Sequence, residues 1–133
     1  MISPSWTTIR LYLHLLAACV WVGGQLTLAG LVPAVRSLGR DAAKVVARQF
    51  NKVAWPAFGV LWITGIWNLM VVDGSLNGSY GTTLLVKIIV AIASGVTALA
   101  HAQARSRAAM AIFGAFTGLT ALGALFLGVL VHG

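Results

Sequence analysis

Charged residues are scarce in this sequence, and acidic residues are the scarcest. Only 8% of the 133 residues are charged, and 9 Lys and Arg stand against 2 Asp and Glu. Soluble domains carry roughly a quarter charged residues, so this chain cannot cover a water-facing surface. A hydrophobic content of 59% and a mean hydropathy of +0.94 place it in the membrane class. The single cysteine, Cys19, excludes an intramolecular disulfide.

The shortage of acids also limits the chemistry that the chain can perform. Asp41 and Asp73 fall in predicted loops on opposite sides of the membrane, so no Ser/His/Asp set can form. No predicted span contains a carboxylate, which argues against a proton-relay transporter. The HExxH, CxxC and glycine-rich phosphate-loop patterns are missing as well. No catalytic residue is therefore assigned, and the sequence leaves enzymatic activity undecided.

Long hydrophobic runs fill nearly all of the sequence. Each holds about 20 residues or more, which lets a helix cross a hydrocarbon layer of roughly 30 Å. The four runs are Thr8–Val35, Val53–Val72, Thr82–Gln103 and Met110–Val131. Helix is the spanning state that suits continuous apolar runs. We predict an all-α integral membrane protein in which residues 1–133 form one domain, an up-down bundle of four transmembrane helices.

Basic residues mark one side of the membrane. The connections after the first and third runs hold Arg36, Arg40, Lys44, Arg48, Lys52, Arg105 and Arg107. The loop after the second run has none, so the positive-inside rule puts both termini outside. We expect a multi-pass protein of the cytoplasmic membrane, with the lipid bilayer as partner and no nucleic-acid binding. The apolar spacing in 37–52 predicts an interfacial helix or an inward extension of the second span.

Two ionisable residues stand inside otherwise apolar runs. His14 lies in the first run and Lys87 in the third, and such residues usually face the bundle interior or a wet cavity. On a helical wheel, His14 shares a stripe with Trp21 and Gln25, and Lys87 shares one with Ser94. Both residues lie roughly 7–9 Å below the outer helix ends. We therefore predict that His14 and Lys87 face each other in the outer third of the bundle.

Simpler roles compete with a ligand site at these positions. A histidine in a membrane helix is often a hydrogen-bonding residue between helices, and Lys87 can extend its amine to the membrane surface. A metal site at His14 would need further donors from the outer half, for which Met70 and His132 are the candidates. Cys19 is a poor candidate, because it lies about 140° from His14 around the helix.

Several segments of the chain resemble the copper resistance D (CopD-like) membrane domain family. The segments are Leu13–Gly24, Leu31–Arg36, Arg48–Phe50, Leu61–Gly65 and Tyr80–Lys87. The pattern is also similar to the HemJ-type protoporphyrinogen oxidase family, in which a first-helix His and a third-helix Lys are functional. His14 and Lys87 match those two positions. The chain lacks that family's histidine two residues before the lysine, which favours the copper-resistance branch.

The resemblance implies a function that the residues alone do not name. CopD-like proteins are associated with copper handling, proposed as uptake, at the outer side of the cytoplasmic membrane. A copper ion is thus the first ligand expected, at a site centred on His14 and Lys87. Haem b is the alternative cofactor, for porphyrin oxidation or electron transfer, with His14 as ligand and Lys87 beside a propionate. A third hypothesis is a non-catalytic subunit of a homo-oligomer or a larger membrane complex.

Overall fold

The helices of the protein are defined by a computed structural model that describes residues 3–39, 41–72 and 77–133. Every regular element in these ranges is helical. The elements are α1 (Trp6–Ala18), a π-helical turn (Cys19–Gly23), α2 (Gly24–Ser37), α3 (Ala42–Val71), α4 (Gly78–Gln103) and α5 (Arg107–His132). Arg40 of the basic connection and residues 73–76 of the predicted outer loop lie outside the described ranges.

Within the described residues, four continuous helices are long and apolar enough to cross a membrane, which confirms the predicted all-α fold. The first runs through the π-helical turn as Trp6–Ser37, and α3, α4 and α5 are the others. Their outward surfaces carry large apolar side chains, such as Ile63 at 67%, Leu119 at 67% and Phe126 at 63% exposure. Such surfaces suit lipid tails rather than water. The chain is a multi-pass membrane protein.

The helix of the second predicted span starts well before its hydrophobic run. Because α3 begins at Ala42, the segment before Val53 extends the span inward and does not form a separate interfacial helix. Lys44, Arg48 and Lys52 consequently lie on α3 and not in a loop. They remain at the N-terminal end of this helix, so the charge asymmetry behind the predicted topology is unchanged.

The first compact unit, Met1–Asp73, pairs the Trp6–Ser37 helix with α3. Early in the first helix, His14 contacts Thr64 near the end of α3. Later in that helix, Gly24 lies under the ring of Phe50 near the start of α3. These contacts give the two helices an antiparallel register. A Cβ on Gly24 would stand only 2.5 Å from Phe50 Cε2, so glycine admits this close approach.

An aromatic cluster fills the middle of this unit at the π-helical turn. Trp21 is 4% exposed, and its ring centre lies 5.5 Å from that of Trp55 and 4.4 Å from that of Phe58. The cluster continues from Phe58 to Trp62. π-helical turns are rare and recur at functional positions, and this one coincides with the most buried aromatic ring of the unit.

The second compact unit, Gly74–Gly133, pairs α4 with α5. Ser94 on α4 is 1% exposed, and its hydroxyl donates to the carbonyl oxygen of Thr117 on α5 at 3.4 Å. The hydroxyl oxygens of Thr97 and Thr117 lie 3.1 Å apart. Within a hydrocarbon layer, small residues allow close packing and their hydroxyl groups link the helices. This seam therefore joins α4 to α5 through small polar side chains.

Both termini are expected outside, which a labelling experiment can test. With Cys19 replaced by serine, a Ser3→Cys variant should react with a membrane-impermeant maleimide in intact cells. A Ser37→Cys variant should react only after permeabilisation, because the basic residues beside it favour the cytoplasmic side. Ser3 precedes α1 and Ser37 ends α2, so the two positions report opposite helix ends. Labelling of Ser37→Cys in intact cells would reverse the orientation.

Candidate functional site

Two polar contacts join α1 to the C-terminal half of α3. Arg10 Nε donates a hydrogen bond of 2.5 Å to Asn68 Oδ1. One helical turn further along, His14 Nδ1 and Thr64 Oγ1 lie 2.8 Å apart. Arg10 is 8% and Thr64 2% exposed, and His14 is half-buried. We name these four side chains the polar ladder, since they form two successive rungs in an otherwise apolar helix pair.

Thr64 is a hydrogen-bond partner of the His14 ring, and the direction in which its hydroxyl donates bears on which ring nitrogen carries the proton. Its hydroxyl lies 2.7 Å from the carbonyl oxygen of Val60, one turn earlier on α3. A hydroxyl has a single proton. When that proton goes to the carbonyl, Thr64 Oγ1 must accept a hydrogen bond from His14 Nδ1. The neutral imidazole then carries its lone pair on Nε2, the arrangement by which proteins orient metal-binding histidines.

Gly65 of α3 lies beside the imidazole ring of His14. A Cβ at this position would lie 3.6 Å from His14 Cε1. Thr64, which forms part of the CopD-like resemblance with Gly65, contacts the imidazole from α3, and Gly65 lies beside it. Within this unit two of the three residues of the predicted inward stripe face α3, because His14 contacts Thr64 and Trp21 is buried against the aromatic rings of that helix. Gln25, the third, is half-buried.

The hydropathy pattern of the sequence does not predict the hydrogen bond between Arg10 and Asn68. Arg10 stands near the start of the first run and has the character of a flanking charge. Two spacings could have revealed it: Arg10 precedes His14 by four residues, and Asn68 follows Thr64 by four. Residues four apart on a helix share a face. Among the described residues, Asn68 is the only hydrogen-bond partner of the guanidinium.

The other soft donors of the first unit face outward from the helix pair. Met70, near the end of α3, is 80% exposed. Cys19 is exposed as well, as its angle from His14 predicted. Across the described ranges, no three His, Cys, Asp or Glu side chains are arranged to hold a metal ion. His14 is thus the one predicted ligand of this unit with a defined hydrogen-bonded setting.

Lys87 and His132 converge on Gly128 in the second unit. The half-buried Lys87 side chain brings Nζ within 3.3 Å of the point where a Cβ on Gly128 would stand. His132 is exposed, and its Nδ1 donates to the Gly128 carbonyl oxygen at 2.8 Å. The ion pair found in the described part of the chain joins Lys44 to Asp41 and does not involve Lys87. The missing side chain at Gly128 makes room for the amine of Lys87.

His101 is held at the opposite end of the second unit. Its Nδ1 donates to the Met110 carbonyl oxygen at 2.7 Å. A Cβ on Gly114 would stand 3.1 Å from His101 Cε1, so the ring lies directly over this glycine. His101 thereby links the end of α4 to the start of α5, several turns from the Lys87 end, as its sequence position predicted.

Comparison with known proteins adds nothing to these contacts. No protein-family model matches the chain, and neither the curated proteins nor the solved structures give a match. The CopD-like and HemJ-type resemblance therefore rests on the quoted segments alone. The meeting of His14 with Lys87 also stays a prediction from helix depth and face, because the two residues belong to different compact units.

Replacing Lys87 with methionine should keep or raise the unfolding temperature in detergent. The new side chain has a similar length and can lie along Gly128, while a costly buried charge disappears. Cofactor content or copper tolerance should fall in the same variant. Lys52→Met, at an exposed position of α3, is the control and should change neither. If Lys87→Met leaves both functional readouts intact, Lys87 only extends its amine to the membrane surface.

Proposed function

We propose that the protein binds haem b in the outer half of the membrane, with His14 Nε2 as the protein ligand to the iron. The supporting observation is the contact between His14 Nδ1 and Thr64 Oγ1 at 2.8 Å. When the Thr64 hydroxyl donates to the Val60 carbonyl, this contact leaves the lone pair of the neutral ring on Nε2. In the predicted topology His14 lies roughly 9 Å below the outer end of its helix. A haem held there supplies one-electron redox chemistry at that side of the membrane.

The donor set of the chain suits haem better than a bare metal ion. A porphyrin provides four nitrogens itself and needs only one or two axial ligands from the protein. Helical bundles bind such cofactors between facing side chains. Copper without a macrocycle needs several soft or nitrogen donors. The described residues contain no group of three His, Cys, Asp or Glu side chains for it.

The residues around His14 would each have a defined task in such a site. Thr64 would fix the orientation of the ring through the hydrogen bond at Nδ1. Gly65 lies beside the ring, where a Cβ would stand 3.6 Å from His14 Cε1, so only a side chain larger than a methyl group would crowd the imidazole. Lys87, at the matching depth that its sequence position predicts, would supply a cation for a haem propionate. This last assignment depends on helix depth and face and not on a contact.

Copper handling is the second candidate, and the CopD-like resemblance favours it. The segment Tyr80–Lys87 carries the family's pattern and lacks the histidine typical of HemJ-type proteins. His14 would be the first copper ligand, because imidazole nitrogen suits copper. Met70 and His132 stay the predicted further donors, one a soft thioether and the other a second imidazole. In this alternative Thr64 would orient His14 in the same way.

Absorption and metal content of the purified protein separate the candidates. Protein expressed in cells supplied with both copper and a haem precursor should show a Soret band and about one iron per chain. Near-stoichiometric copper without a Soret band would favour copper handling instead. Absence of both signals, also after addition of haemin or Cu(I), would contradict both proposals. That result would favour the third hypothesis, a non-catalytic membrane subunit, over haem binding and copper handling.

A further inference from the structure

Arg10 is a buried cation whose partner is neutral. Its side chain is 8% exposed, and Nε donates to the amide oxygen of Asn68. Asp41, the one acid in the described ranges, lies at the far end of α3 and forms its ion pair with Lys44 at 3.3 Å. A charge buried without a counter-charge is costly. The environment of Arg10 therefore calls for an anion.

The guanidinium retains the donors that an anion would need. It has five N–H groups in a planar fork, and Asn68 uses only the one on Nε. No fully enclosed side-chain nitrogen or oxygen in the described residues lacks a partner, so the terminal nitrogens of Arg10 keep accessible surface. Such a fork binds a carboxylate or phosphate through two parallel hydrogen bonds. The low exposure also shows that Arg10 does not extend away from the helix pair, as a snorkelling side chain would.

We propose that Arg10, positioned by Asn68, binds the oxyanion of an amphipathic ligand at the first helix pair. A porphyrin propionate and the phosphate of an anionic lipid share this chemistry. His14 lies four residues from Arg10 on the same face, a rise of about 6 Å along the helix. A metalloporphyrin could therefore meet both residues. The propionate source rests on the proposed haem function, whereas the lipid source does not.

The hypothesis that Arg10 binds a porphyrin propionate can be tested with a haemin whose two carboxylates have been converted to neutral esters. Detergent-solubilised protein is titrated with haemin and with haemin dimethyl ester, which keeps the iron and the ring. The wild type should bind haemin at least about tenfold more tightly than the ester, since charge-assisted hydrogen bonds contribute that much. Arg10→Gln should bind both alike. Arg36→Gln, at the exposed end of α2, is the control and should keep the preference.

The alternative hypothesis, that Arg10 binds the phosphate of an anionic lipid, is tested with the same variants. Protein is taken up in nanodiscs with equal phosphatidylglycerol and phosphatidylcholine, extracted, and analysed for retained lipid by native mass spectrometry. If lipid phosphate is the oxyanion, wild-type protein should retain phosphatidylglycerol preferentially. Arg10→Gln should lose that preference and Arg36→Gln should keep it. This readout needs no haem, so it separates failure of the Arg10 proposal from failure of the proposed function.

If Arg10→Gln does not fold, a second variant can test whether Arg10 binds an oxyanion. Asn68→Asp keeps Arg10 and nearly the same shape, and it supplies an internal carboxylate in place of the amide. It should abolish whichever of the two preferences the wild type shows, acid over ester or anionic lipid, and a wild type with neither preference overturns the proposal. Asp73→Asn removes the acid that lies outside the described residues and should leave the preference intact. The proposal is overturned if Asn68→Asp changes neither readout, or if Asp73→Asn reproduces the effect of Arg10→Gln.

Discussion

Replacing His14 with alanine should abolish the Soret band of the haem-loaded protein, because the iron loses its proposed bond to the chain. Thr64→Val should have a graded effect. It keeps the ligand and nearly the same volume, but removes the oxygen that accepts from His14 Nδ1. Loss of such an orienting partner typically lowers metal affinity about 10- to 100-fold. Absorbance titrations of detergent-solubilised apoprotein with haemin would measure both effects.

His101→Ala is the matched control for this experiment. Nδ1 of His101 also forms a hydrogen bond to an oxygen of a neighbouring helix, the carbonyl oxygen of Met110, at 2.7 Å. Within the second unit, His101 lies at the end opposite to Lys87. Its replacement should leave the band and the haemin affinity unchanged. A Soret band that survives His14→Ala, or one that disappears in His101→Ala, would remove His14 from the role of iron ligand.

Trp21→Ala should destabilise the protein more than any other single aromatic truncation in the first unit. Trp21 is 4% exposed and contacts the rings of Trp55 and Phe58. Truncating a buried tryptophan costs roughly 3–5 kcal/mol in well-packed interiors, because the contacts are lost and a cavity is left. Lipid-facing helices also depend on such packing, since lipid tails give little hydrophobic drive for helix association. A large drop in thermal unfolding temperature is the expected readout.

Trp6→Ala serves as the comparison, because Trp6 is 75% exposed at the start of α1. Its truncation removes a similar number of atoms without opening a cavity inside the helix pair. The unfolding temperature in detergent should change little. Equal losses for Trp21→Ala and Trp6→Ala would mean that the aromatic cluster does not hold α1 and α3 together.

The four helices could be predicted from composition because a membrane-spanning segment is specified by length and apolarity alone. The start of α3 could not be predicted in this way. Its first residues carry basic charges, and their apolar spacing fits an interfacial helix as well as a longer span. The contact of Phe50 with Gly24 belongs to the longer helix. That contact joins residues far apart in sequence, so no local pattern reports it.

Of the four residues of the polar ladder, only His14 could be predicted from the sequence pattern, and the other three were hidden. His14 stands out because imidazole is rare within an apolar run. Its partner Thr64 was visible only through a family resemblance, since threonine is common in membrane helices. Arg10 was masked by its position near a helix end, where a basic residue ordinarily reports topology. Its burial depends on Asn68, which lies on another helix.

The π-helical turn at Cys19–Gly23 separates the length of the first helix from the direction of its faces. It accommodates one residue more than an ordinary α-helical turn. Because this turn takes up the extra residue within its own wider hydrogen-bonded ring, deleting one residue there would restore a regular helix and keep the face of the part from Gly24 to Ser37. The same deletion in a regular stretch would rotate that part by about 100° relative to the polar ladder. In relatives of this chain, a one-residue gap at this turn is therefore compatible with an unchanged helix face, whereas a gap elsewhere in α1 or α2 would turn that face away.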